Sequence, residues 1–150
     1  MMQYSRKPAL LILVLLLAGG APLFWKSANA TAASSALMQF ERKIAAGSAT
    51  RETWLSYGDC LMDASRFAPA AAAYHKVLDI EPFNRQGRIG YALALARAND
   101  SDALYLFLHQ LAVQDPKLTI QLLERREFQG IAGQPPFPTV YQEAKAQAAD

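Results

Sequence analysis

At 150 residues, 52% of them hydrophobic and 19% charged, the chain suits one globular unit preceded by an apolar segment. Its single cysteine, Cys60, excludes an intramolecular disulfide and a cysteine-rich metal site. The formal charge of +2 comes without a basic run or stripe, which argues against nucleic acid as a partner.

Residues 1–30 carry the apolar segment. Arg6 and Lys7 precede an uncharged run of 17 residues from Ala9 to Trp25, followed by Lys26, Ser27 and the small-residue triplet Ala28-Asn29-Ala30. A basic start, an apolar middle and an A-x-A site make a secretory signal peptide cleaved after Ala30. The run is also near the shortest length that spans a bilayer, so an uncleaved transmembrane anchor is the alternative. Either way Arg6 and Lys7 stay on the cytoplasmic side, and the rest of the chain is expected to be extracytoplasmic, in the periplasm. Three basic residues and no acidic one lie in this leader, leaving 12 basic against 13 acidic residues behind it, a net charge of −1.

Residues 31–35 are small and read as a linker. Ala36, Phe40 and Ile44 then recur every four residues, which places them along one face of a helix that Gly47 and Ser48 end. A second helix begins at Thr50 or Ser48, either of which can accept backbone N–H bonds as a cap. Trp54, Tyr57, Gly58 and Leu61 share its face, and Asp63-Ala64-Ser65 makes a turn. Pro69 falls in the first turn of the next helix, where its missing N–H does little harm. That helix packs through Ala70, Ala73, Tyr74 and Val77 and stops at Glu81-Pro82. Asn84 caps a fourth helix containing Tyr91, Ala92 and Leu95; Asn99-Asp100 turns the chain, and Ser101 is expected to cap a fifth. Leu104, Phe107, Leu108 and Leu111 pack, and Asp115-Pro116 ends it. Leu118, Ile120, Leu122 and Leu123 predict a further helix ending near Phe128. The glycines and prolines from Gly130 to Pro138 should break regular structure before a last helix from Thr139 to Ala148.

Pro82 and Pro116 lie 34 residues apart, a helix–turn–helix repeat period. The series Trp54, Tyr57-Gly58, Leu61, Phe67, Ala70, Tyr74, Pro82 closely resembles the tetratricopeptide repeat. The resemblance covers roughly residues 34 to 126. It implies an all-α fold, a short right-handed helical solenoid of antiparallel helix pairs. Residues 36–117 hold a half repeat (36–48) and two repeats (50–84 and 85–117), and residues 118–150 form a helical cap pinned by Phe128, Ile131 and Phe137. Trp54, Tyr57, Phe67, Tyr74, Tyr91 and Phe107 would supply most of the core. Arg88 in the place of Trp54, and Leu104 in the place of Ala70, depart from the pattern and weaken the expected close packing of the second pair.

In this family the concave surface is lined by outward positions of the first helix of each repeat. Carried onto this chain, these are Glu52, Leu55, Asp59, Met62 and Asp63, then Gln86, Ile89, Leu93, Ala96 and Arg97. An apolar floor of Leu55, Met62, Ile89 and Leu93, with acidic residues on one repeat and Arg97 on the next, suits a short helix or extended peptide. The Lys/Asn/Arg set with which some relatives hold a chaperone's C-terminal carboxylates is not present.

No nucleophile elbow, phosphate loop, zinc-binding helix motif or Rossmann glycine pattern occurs. His75 and His109 sit at equivalent places about 10 Å apart in stacked repeats. With no carboxylate of their own they fall short of a metal site and read as exposed. Asp59 and Asp63 read as a solvated face rather than a catalytic pair, and Cys60 as a small buried hydrophobe. The expectation is therefore a non-enzymatic adaptor with no cofactor or metal. It would bind a protein segment during assembly of an envelope, secretion or exopolysaccharide apparatus. An accessory subunit that stabilises an envelope enzyme is the alternative. With so few repeats, self-association would add stability. The short leader and the repeat behind it look similar to small bacterial envelope proteins.

Overall fold

The computed structural model describes residues 34–149. The signal or anchor segment, residues 1–30, lies outside them, as do residues 31–33 of the linker. The chain divides into units of residues 1–39 and 40–150. Of the first, residues 34–39 are described, and they are helical. The second is all-α, with no strand among the described residues.

The helices are α1 (34–45), α2 (Arg51–Asp63), α3 (Phe67–Ile80), α4 (Arg85–Ala98), α5 (Ser101–Gln114), α6 (Pro116–Leu123), α7 (Gln129–Ala132) and α8 (Phe137–Ala149). Among the described residues none is long and apolar enough to cross a membrane.

Local chemistry sets the ends. Gly47, at φ 68°, closes α1, in the left-handed conformation that glycine reaches at no steric cost. The hydroxyl of Thr50 accepts the Thr53 N–H at the start of α2, and the Asn84 side chain accepts the Gly87 N–H at the start of α4. Both α2 and α4 end in the same turn. The Arg66 N–H reaches back to the Leu61 carbonyl, and the Asp100 N–H to that of Leu95. Ser65 and Asn99 are each left-handed at φ 58°. The short polar side chains of Ser and Asn lower the cost of that conformation.

Caps, helix starts and left-handed residues thus recur at an interval of 34 positions from Thr50 to Gln114. The recurrence stops at Pro116. Pro82 lies in a turn before the cap at Asn84, whereas Pro116 is itself the first residue of α6, capped by Asp115, whose carboxylate accepts the Leu118 N–H. Asp100, not Ser101, caps α5, by accepting the Ala103 N–H. With Asn99 left-handed, Asp100 is the half-in residue, and its short carboxylate reaches the third N–H beyond it.

α3 packs against both α2 and α4, while the backbones of α4 and α5 approach closely at fewer places. The C-terminal part is built by α6 and α8 against α5 and each other. α6 ends at Leu123, earlier than the apolar pattern indicates, because Glu124, Arg125 and Arg126 come next and the chain tightens into a 3₁₀ turn at Arg126–Phe128. The last helix starts earlier than the prolines suggest, with Phe137 buried at its first position and Pro138 in its first turn.

The core is richer in leucine than the aromatic pattern implies. Leu61, Leu104, Leu108, Leu111, Leu118 and Leu122 are buried together with Val77, Val140 and Phe128. Of the six aromatics expected to dominate, only Tyr74 is buried. Trp54, Tyr57, Phe67, Tyr91 and Phe107 are half-buried, keeping an edge in water as amphipathic rings do.

Candidate functional site

Tyr74 organises the first helix group. Its ring, on α3, lies in a slot between Gly58 of α2 and Gly90 of α4. A methyl group at either glycine would sit 2.8 Å or 2.5 Å from Cε1 of the ring. The slot exists because neither helix carries a side chain there. Beyond the slot the Tyr74 hydroxyl donates to Asp59 Oδ1 at 2.5 Å. Burial, then the bond to Asp59 and its charge, push the Tyr74 phenol well above its ordinary range.

Asp59 is exposed, on the side of α2 that the hydroxyl reaches past Gly58 and Gly90. It shares that stripe with Leu55 and Met62, both half-buried, and with exposed Glu52 and Asp63. On α4, which touches α2, Ile89, Leu93 and Ala96 are half-buried and Gln86 and Arg97 exposed. Arg97 lies over the Phe67 ring at 5.9 Å, and Glu52 pairs with Arg51, which also bonds Glu81. Arg51, then Asn84, holds the Glu81 carboxyl below its usual range. The α2/α4 face is therefore a band of partly covered apolar side chains bordered by charge.

Arg88, a turn before Tyr91, lies on a different side of α4 and is only 5% exposed. Its Nε donates to the Pro82 carbonyl and its Nη2 to Gln114 Oε1, each at 2.9 Å. Nη1 lies 3.9 Å from Asp115 Oδ2, and the exposed ring of Phe83 covers the guanidinium at 4.8 Å. Where the first repeat has a tryptophan, the second has a buried cation bonded to the preceding turn and to the end of α5. Beside it, α3, α4 and α5 border an open pocket of about 390 Å³. Leu78, Tyr91, Leu106 and Phe107 form its apolar wall, and Asp79, Arg88 and Gln114 contribute polar groups. Of the two departures from the repeat pattern, Arg88 lines this pocket and Leu104 does not. A second, mostly apolar cavity of about 380 Å³ lies between Leu123, Ala132, Pro138 and Tyr141. The residues of the α2/α4 face line neither.

His75 and His109 are exposed, but each has the carboxylate neighbour that the sequence did not assign. His75 Nδ1 is 3.3 Å from Asp79 Oδ1, and His109 Nδ1 is 3.0 Å from Glu143 Oε2. The His75 ring meets Tyr91 edge to face, and the His109 ring stacks on Tyr105. Among the described residues no group of three or more His, Cys, Asp or Glu side chains is placed to hold a metal ion. Cys60 is half-buried rather than buried; that burial, with Asp63 and Asp59 nearby, pushes its thiol above its ordinary range. Compared with protein-family models, with characterised proteins and with solved structures, the chain has no match.

Proposed function

We propose that the chain is a non-enzymatic adaptor of tetratricopeptide type that captures a peptide or helix of a protein partner on the α2/α4 face. The observation that carries this reading is the 34-residue recurrence of caps and left-handed turns, with Tyr74 holding α2 and α4 side by side. Two first helices in that register present Leu55, Met62, Ile89 and Leu93 as anchoring positions. Asp59, Asp63 and Arg97 give the partner a direction. Apolar anchors bordered by fixed charges are how helix and strand segments are recognised in preformed surfaces. The leader residues Arg6 to Ala30 support work on the outer side of the cytoplasmic membrane, in assembly of an envelope, secretion or exopolysaccharide apparatus.

Leu93→Glu tests the reading directly. Crosslinking pull-down of the tagged full chain from intact cells should recover a stoichiometric partner that the variant loses, with circular dichroism unchanged. Capture that persists in the variant, or helicity lost in step with it, defeats the assignment of Leu93 to the binding face.

A further inference from the structure

The cavity between α3, α4 and α5 has a composition that an unoccupied packing gap does not require. We propose that it is a second binding site, for the free C-terminus of a peptide whose last side chain is apolar. The inference does not rest on the adaptor reading of the α2/α4 face, since Arg88 and Tyr91 lie on another side of α4.

The donors come first. A guanidinium carries five N–H groups; at Arg88 one goes to the Pro82 carbonyl and one to Gln114. Its nearest carboxylate, Asp115, is 3.9 Å away and has its other oxygen engaged by the Leu118 N–H. A cation 5% exposed with so distant a counter-charge is incompletely compensated. The Gln114 oxygen is held by Arg88 at the rim of the same space. A planar guanidinium with N–H groups left over matches the two oxygens of a carboxylate.

The wall supplies the rest. Leu78, Leu106 and the Tyr91 and Phe107 rings, in edge contact at 4.9 Å, line the same space. They favour an anion joined to an apolar body over a bare inorganic ion. Asp79 adds acceptor capacity beyond its bonds to Lys76 and His75. A peptide end has a backbone N–H to use it, and a fatty acid has none. The volume of about 390 Å³ falls within the ~300–1,000 Å³ of ligand pockets.

Calorimetric titration of the full chain with N-acetyl-leucine, its uncharged amide and octanoate tests the site. Saturable binding of N-acetyl-leucine is expected, with the amide and octanoate weaker by about tenfold or more. Leu106→Trp, at a wall residue 66% exposed, should weaken N-acetyl-leucine equally without changing helicity, and so should Gln114→Leu. Leu93→Glu should leave it untouched. An amide that binds as well as the acid removes the carboxylate. Octanoate binding as tightly as, or more tightly than, N-acetyl-leucine removes the peptide. No saturable binding up to the millimolar range, or full binding by Leu106→Trp, removes the site.

Discussion

The two helix pairs, α2–α3 and α4–α5, start their helices at the same interval yet are held together by different physics. In the first, the Tyr74 ring of α3 fills a slot between Gly58 of its own pair and Gly90 of the next, and its hydroxyl emerges onto an exposed carboxylate. In the second, Leu104 is buried where Ala70 stands in the first, Arg88 stands where Trp54 did, and a pocket lies beside Arg88. Small residues thus let a ring fill the space between helices, while a buried cation leaves an open pocket beside the same backbone.

Breaking the second pair should cost most. Arg88→Ala strands the Pro82 carbonyl and Gln114 and removes the charge facing Asp115, a loss of about 3 kcal/mol in urea unfolding. A loss below about 1 kcal/mol would mean that the network is solvated. Breaking the Tyr74 slot, where the first pair meets α4, comes next. Gly90→Ala forces a methyl group into a ring that Gly58 blocks from behind, costing about 2 kcal/mol after the gain in helix propensity. Gly87→Ala meets Val77 at Cγ1 and Cβ (2.9 and 3.3 Å) and Leu78 at Cδ2, contacts looser than those at Gly90, and should cost about 1 kcal/mol. Equal effects at the two positions would refute the slot.

Tyr74→Phe sharpens the contrast through pH. Loss of the bond to Asp59 should cost about 1.5 kcal/mol at neutral pH. Because folding raises the phenol's pKa, the stabilisation is present in full below about pH 10, its ordinary value, and falls as pH rises beyond it. The difference between wild type and variant should therefore shrink in alkali; a constant difference would leave packing as its cause. The smallest effects belong to the connections. Asn84→Ala and Asp115→Ala each remove a helix cap and should each cost about 1 kcal/mol, although the two residues occupy different places in their repeats.

That last pair shows how far the fold was legible in the sequence. Pro82 and Pro116 mark the repeat interval, and the caps at Thr50 and Asn84 can be read from residue type alone. The path of the chain at each proline turns on one carbon. Glu81 is too long to cap, so the chain makes a turn before Asn84 does so; Asp115 caps at once, and the helix restarts at Pro116. The burial of Arg88 was not legible, because its partners lie 6 residues before it and 26 after it. Gly90 was hidden for a related reason. The sequence pattern assigns the small position to Ala92, whereas Tyr74 reaches across from the preceding repeat and needs the space one position before Tyr91. Of the candidate binding residues, the stripes along α2 and α4 could be read from helical spacing. The bond that fixes Asp59 could not, since it depends on a ring passing between two helices.

The slot around Tyr74 also has a consequence in time. A phenol ring turns over by rotating about its long axis, and in an open site this averages its two edges within nanoseconds. Here the Cδ1–Cε1 edge lies between Gly58 of α2 and Gly90 of α4, and the hydroxyl is tethered at its far end. The ring can turn only when the two helices part. Nuclear magnetic resonance should therefore resolve separate signals for the two sides of Tyr74, and their exchange rate would count how often α2 and α4 come apart in the folded protein.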